Sequence, residues 1–252
     1  MEQETLPNQE DEAVVQRMLS VVDNQTAQWA EKKTRELFHL LTHYKCAMME
    51  IESRFHLLNE EYALEHGRSP VSSIKTRLKS VQSIKEKMER KGFPMTPESV
   101  RDNLNDIAGV RVICAFPEDV YVMAAALSRQ DDITVLGRKD YIAHPKESGY
   151  RSLHLIVTVP IHLANGKKQM KVEIQLRTIA MDFWASLEHD LRYKSDVVFT
   201  EEMAAELVQC AQLSADLDNR MDRLRKSVQN IPDQDEEQGS VFETEQRKWC
   251  ET

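Results

Sequence analysis

The segment Lys171-Val172-Glu173-Ile174-Gln175-Leu176-Arg177-Thr178 alternates apolar and polar residues without a break. Side chains on a strand point to opposite faces with period two, so Val172, Ile174 and Leu176 share one face while Lys171, Glu173, Gln175 and Arg177 share the other. The first set seals a core. The second puts a carboxylate, an amide and a guanidinium side by side, a set suited to a metal-bound polyphosphate. Taken alone, such alternation more often marks an ordinary half-buried strand with a solvated face, so the surrounding segments decide.

Those segments give the fold class. Gly109 to Phe116 is a short apolar, β-branched run, and Ile133 to Leu136, Leu153 to Val159 and Met170 to Arg177 are strand-like, whereas Asp119 to Arg129 reads as helix. Pro160 to Lys168, with Asn165-Gly166 inside it, reads as the turn joining the last two strands into a hairpin. Strands and helices interleave, which predicts an α/β (α+β) domain with a mixed sheet of about five strands flanked by helices. Leu37, Leu41, Tyr44, Met48, Ile51, Phe55 and Leu58 recur at steps of four and three, the seam of a long amphipathic helix. Cys210, Ser214, Leu217, Met221, Leu224 and Val228 repeat that rhythm before Pro232. Such a seam more often packs on its own domain than on another subunit, yet two of them flanking one core are compatible with a homo-oligomer. The division predicted is an acidic extension over 1–28, a helical segment over 29–64, a core over 65–195, a C-terminal helix over 196–230 and an acidic flexible tail over 231–252.

Composition narrows the function classes. A chain of 252 residues with 41% hydrophobic content is enough for one good-sized domain with appendages. The net charge of −9 argues against a protein that coats nucleic acid, and no stable nucleic-acid binding is expected. Cys46, Cys114, Cys210 and Cys250 are widely spaced and form no CxxC pair, so neither a disulfide framework nor a zinc site is indicated. No basic leader precedes an apolar run, and the longest apolar stretch, near Val122 to Leu127, is far too short to span a bilayer. A soluble protein of the cytoplasm with no membrane partner is expected.

The seven glycines never come closer than Gly137 and Gly149, twelve residues apart, so no glycine-rich phosphate loop can form. Phosphate binding must then use cationic side chains, and Arg68 to Arg101 holds nine Lys and Arg against three acids. Within it Ser80 reads as a helix N-cap, and Lys79, Ser83 and Lys87, spaced by four, are expected on nearly one face. This is either a solvated basic face or the combination of charge and neutral donor that a triphosphate needs. Asp106 precedes the strand at 109–116; with Glu173 it could supply the two carboxylates that Mg²⁺ takes from protein, or both could be plain loop acids. In Lys139 to His154, Pro145 and Gly149 mark a loop entering a strand, placing Tyr150, Ser152 and His154 on a face opposite Leu153 and Leu155. Tyr150 beside Lys146 could stack on a base or pack in the core.

Together these segments resemble one family. Arg77-x-Lys79-x-x-x-Ser83-Ile84-x-x-Lys87, Asp106-Ile107-Ala108-Gly109-x-Arg111, Asp140-Tyr141-Ile142 with Lys146-x-x-Gly149-Tyr150-x-Ser152-x-His154, and Glu173-Ile174-Gln175-Leu176-Arg177-Thr178 are similar, in order and spacing, to the synthetase domain of RelA/SpoT proteins. The likeness covers about 65–195, and the short chain with flanking helices looks like the small alarmone synthetases. The resemblance implies a nucleotidyltransferase-like fold that moves the β,γ-pyrophosphoryl group of ATP to the 3′-hydroxyl of GDP or GTP. It implies ATP contacts from Arg77, Lys79, Ser83, Lys87 and Arg111, with Arg77 beside the adenine. It implies Mg²⁺ on Asp106 and Glu173, with Glu173 also activating the hydroxyl. Acceptor contacts fall to Lys139, Lys146, Tyr150, His154, Gln175 and Arg177, Tyr150 stacking on guanine. A homotetramer is implied as well. Gly137 stands where long forms often carry arginine, so the choice between GDP and GTP is not fixed.

His189-Asp190 spells the dipeptide of HD phosphohydrolases, but such a metal site also needs a separate upstream His and a distant downstream Asp, and that module normally precedes the synthetase domain; Trp184, Glu188 and Tyr193 around it read as a helix packing on the sheet. Two other readings compete: a toxin-type synthetase acting on adenine nucleotides or a tRNA end, and a catalytically silent nucleotide-binding regulator. The acidic chain disfavours the tRNA reading. The presence of both Asp106 and Glu173 disfavours the silent regulator.

Overall fold

A computed structural model describes residues 24–193 and 199–229; the acidic ends, 1–23 and 230–252, lie outside the described residues. In chain order the elements are α1 (Asn24–His66), β1 (Val71–Leu78), α2 (Val81–Arg90), α3 (Pro97–Asn103), β2 (Ala108–Cys114), α4 (Pro117–Ser128), β3 (Thr134–Asp140), β4 (Leu153–Leu163), β5 (Gly166–Thr178), α5 (Ile179–Tyr193) and α6 (Glu201–Gln229). The strands form one sheet in the order β1-β2-β5-β4-β3. β2 and β5 run parallel and the other neighbours antiparallel, so the sheet is mixed, as expected.

The apolar face of the sheet makes the core. Val110, Val112, Val172, Ile174, Leu176, Leu153, Leu155 and Val157 are all at most 2% exposed. Tyr44, Ile51 and Phe55 of α1 and Val120, Met123 and Leu127 of α4 belong to the same cluster. Burying one such side chain is worth roughly 1.5–3 kcal/mol, which is why α1 clamps along β1, β2, β4 and β5. The first helical seam therefore packs on its own domain, with Leu37 and Leu58 partly covered at its ends.

The second seam does not. On α6 the inward residues are Leu207, Ala211 and Asp218, whereas Cys210, Leu217, Met221, Leu224 and Val228 face outward. The inward face mixes Leu207 with small and polar residues because α6 packs closely on α5 and bonds to it and to the end of β5. Ser214 Oγ donates to the Ala180 carbonyl at 3.0 Å, and Thr178 Oγ1 donates to Asp218 Oδ2 at 2.5 Å. Both bonds need short polar residues where the apolar rhythm predicted packing.

Three boundaries also differ from the sequence reading. β1 was not foreseen. β3 runs on through Gly137 to Asp140, with a register shift between Val135 and Gly137. β4 continues past Pro160 to Leu163, so the turn is confined to Ala164 and Asn165, with Gly166 at φ 113. β3 pairs with β4 only as far as Thr158, so Pro160 lies where β4 has become an edge, a setting that tolerates a missing N–H. Among the described residues no helix is long and apolar enough to cross a membrane.

Candidate active site

The register of the sheet turns the polar face of β5 into the middle of a wider array. Lys75 pairs with Arg111, Arg111 with Gln175, Gln175 with His154 and His154 with Lys139, so one row crosses all five strands. The next row runs Arg77, Gly109, Glu173, Ile156. At Gly109 an added Cβ would meet the Arg77 carbonyl at 3.4 Å, so the absent side chain leaves the floor open between Arg77 and Glu173. A cleft of about 720 Å³ lies over this face, lined by Arg77, Lys79, Asp106, Arg111, Tyr150, Glu173, Gln175 and Arg177 of the anticipated residues.

One corner is built by the β1–α2 junction. Ser80 caps α2 as predicted, its hydroxyl accepting from the Ser83 N–H at 3.2 Å. Lys79 lies before that cap instead of on the helix face shared by Ser83 and Lys87, and its N–H is tied to the Ile107 carbonyl at 2.8 Å. Both lysines nevertheless converge: Lys79 Nζ and Lys87 Nζ donate to Asp106 Oδ2 at 3.1 and 2.6 Å. Ser83 stays out of the cleft lining, its hydroxyl engaged with Ser80 Oγ at 3.0 Å. Burial works against ionising Asp106, but the bonds from Lys87 and Lys79 outweigh it and hold the carboxyl below the usual range.

The opposite corner is a chain of contacts ending on Glu173. His154 Nδ1 faces Glu173 Oε1 at 3.5 Å, and His154 Nε2 lies 2.8 Å from the Tyr150 hydroxyl. Arg177 Nη2 donates to that hydroxyl at 2.6 Å and to Gln175 Oε1 at 3.1 Å. Lys146 Nζ stands 4.8 Å from the centres of the Tyr141 and Tyr150 rings. Tyr150 is half-buried with the Lys146 and Arg177 cations over its ring, so it is not sealed in the core. Ser152 does not join this face: it is fully buried, donating to the Leu176 carbonyl at 3.2 Å. Lys139 is exposed beside His154 by register and, like Lys146, lies outside the cleft lining. Burial raises the Glu173 carboxyl, but His154 and Gln175 together outweigh burial and the neighbouring Asp106 charge, leaving it below the usual range.

A Mg²⁺ ion fits the donor set. Asp106 Oδ1 is buried without a hydrogen-bond partner, an arrangement that costs about 1–3 kcal/mol unless something fills it. Glu173 is near enough to feel the Asp106 charge. Among the described residues no group of three or more acidic, His or Cys side chains gathers, so a cation here would complete its shell with water and phosphate, the habit of Mg²⁺.

Sequence reading missed two contributions. Asp182, on the first turn of α5, is 7% exposed and accepts from three cations; a lone acid in a helix carries no signal for this. Ser186, Glu188, His189 and Asp190 of the same helix form a wall of the cleft. Trp184 packs with Ala185, Leu207 and Ala211, so the helix anticipated around it is present. Gly149, at φ +86, puts the loop so close to α6 that a Cβ would sit 2.5 Å from that of Ala211.

Comparison with known proteins agrees with this geometry. A family profile described as the region found in RelA/SpoT proteins matches residues 76–197. The chain is 42% identical over 185 residues to the GTP pyrophosphokinase YwaC of Bacillus subtilis (strain 168), covering 73% of this chain and 88% of that protein. The small alarmone synthetase 1 of Bacillus subtilis bound to its product pppGpp is similar with a TM-score of 0.67 and 37% identity, over 74% of this chain and 95% of that one. The same synthetase bound to AMPCPP aligns with a TM-score of 0.66 and 34% identity, over 78% and 100%. With relatives matched over most of their length, the chain belongs to the RelA/SpoT family, among its small alarmone synthetases.

Proposed function

We propose that the protein transfers the β,γ-pyrophosphoryl group of ATP to the 3′-hydroxyl of GDP or GTP, releasing AMP and forming the alarmones ppGpp or pppGpp. The observation that carries this reading is the pairing of Asp106, with its unpartnered buried oxygen and two lysines, and Glu173 on one open sheet face. The product-bound and AMPCPP-bound relatives support the same donor and acceptor.

Arg77 and Arg111 bind the donor from the β1–β2 side, while Lys79 and Lys87 pass from Asp106 to the phosphates as ATP enters. Asp106 and Glu173 hold Mg²⁺, which when bound neutralises charge on the transferred group. Tyr150 stacks on guanine, and Lys146, Lys139 and His154 meet acceptor phosphates. The acceptor 3′-oxygen attacks the β-phosphorus in line, the bond from that phosphorus to the α,β-bridging oxygen breaks, and AMP leaves. Glu173 takes the hydroxyl proton late in the transfer, as suits a carboxylate of low basicity.

The proposal extends to a homotetramer in the cytoplasm. Ile179, Phe183, Leu187 and Leu191 on α5 and Leu213, Leu217, Leu224 and Val228 on α6 are each 46–69% exposed, and apolar stripes of this kind support contact between copies. Sedimentation as a monomer would remove that part. The activity is tested by incubating protein with Mg²⁺, ATP and GDP, GTP or tRNA and separating products by anion exchange. Equal amounts of AMP and a guanosine tetra- or pentaphosphate are expected; unchanged guanine nucleotide contradicts the assignment.

A further inference from the structure

Arg111 and Arg177 stand on adjacent strands, and in the reading above they serve different nucleotides. Burial works against the Arg111 charge, and the neighbouring Arg177 guanidinium adds to this, holding Arg111 below the ordinary arginine range. Something must hold two like charges together at the cleft floor. Asp182 Oδ1 accepts from Arg111 Nη1 at 3.1 Å and from Arg177 Nη1 at 3.2 Å, while Oδ2 accepts from Lys75 Nζ at 2.9 Å. Asp182 is absent from the cleft lining, whereas Lys75, Arg111 and Arg177 all line it, so it acts on the cleft through those three cations.

The contacts continue in one direction. Arg177 donates to Tyr150, whose hydroxyl meets His154, whose other ring nitrogen faces Glu173. In the other direction lies Arg111, across from Gln175 in the parallel β2–β5 register. The carboxylate is fixed at the start of α5, where Thr178 Oγ1 accepts from the Met181 N–H at 3.1 Å and ties the turn to β5. A guanidinium held by a buried carboxylate has a set orientation, and the next group inherits it.

We propose that Asp182 is a positioning residue serving both nucleotide subsites at once, orienting Arg111 toward the donor and Arg177, with Tyr150, toward the acceptor. The donor and acceptor labels rest on the pyrophosphoryl-transfer reading. Neutralising it leaves two guanidinium groups facing each other uncompensated, so both subsites loosen together.

The test compares wild type, Asp182→Asn and Asp182→Glu by titration calorimetry, with AMPCPP alone and then with GDP in the presence of AMPCPP. Asp182→Asn is expected to weaken both Kd values about tenfold at full stoichiometry, in keeping with loss of charge-assisted bonds. Asp182→Glu, which keeps the charge, is expected to recover most of that loss. A carboxylate that only stabilised the fold would lower the fraction of binding-competent protein and leave both Kd values unchanged; that result, or a change at one nucleotide only, overturns the proposal. Turnover of the wild type, assayed separately, tests the activity itself, so the two readings can fail independently.

Discussion

The two faces of the Lys171–Thr178 stretch of β5 are made by the same eight residues and do different work. One face, Val172, Ile174 and Leu176, is fully buried against the α1 and α4 cluster; the other, Glu173, Gln175 and Arg177, carries the floor of the cleft. The apolar face is held by many interchangeable contacts, each small. The polar face depends on a few specific ones, and its charges are compensated by named partners: Lys79 and Lys87 at Asp106, Asp182 at Arg111 and Arg177. Stability and chemistry are thereby separated across one sheet, and substitutions on the two sides should read out differently.

The largest effect is expected on the core side. Phe55, fully buried, fills the space under the sheet, and Phe55→Ala should cost about 3–5 kcal/mol in chemical denaturation while substrate affinity of the folded fraction stays unchanged. A stable variant with altered nucleotide affinity would break the separation of faces. Next come Glu173→Gln and Asp106→Asn, each expected to lower kcat by about 10²–10³-fold with the far-ultraviolet circular dichroism unchanged. Near-normal turnover in either would refute the metal-site assignment. Tyr150→Ala should raise the acceptor KM by about tenfold, the low end of base-stacking energies, with little change for ATP. If ATP affinity alone moved, the acceptor assignment of that corner would be wrong.

The smallest effect is in pH dependence. Asp106 and Glu173 both titrate below their ordinary values, so each contributes stability that is present above the unfolded carboxylate range and lost as pH falls through the folded value. Turnover and stability should therefore hold from neutral pH down to about pH 4 and fall together below it. An acidic limb centred at about pH 6 would contradict this.

How legible these faces were depended on how local their signal is. The Lys171–Thr178 part of β5 could be read because strict period-two alternation fixes both faces at once, whereas Gly166 to Lys168, read as turn, belong to the strand. β1 could not: Val71, Ile74 and Leu78 recur at three and four, a helical spacing, because an edge strand with a register shift between Val71 and Ser73 buries only part of each face. The α1 and α6 seams carry the same rhythm, yet only the first is buried in its own domain; periodicity shows that a face is apolar and leaves open what covers it. Pro160 misled for a related reason, since whether a proline ends a strand depends on where the neighbouring strand stops. In the site, the family motifs located Asp106, Glu173 and the lysines. Asp182 stayed hidden because its partners come from β1, β2 and β5, and only the packing of α5 against the sheet brings them to one carboxylate.

The most direct test of the account follows the transferred group itself. With ATP labelled at the β-phosphorus, GDP and Mg²⁺, the label should move in full to a guanosine 3′-pyrophosphate, with unlabelled AMP in equal amount and no transfer by Glu173→Gln. Label retained in ADP, or released as free pyrophosphate with the guanine nucleotide unchanged, would contradict it.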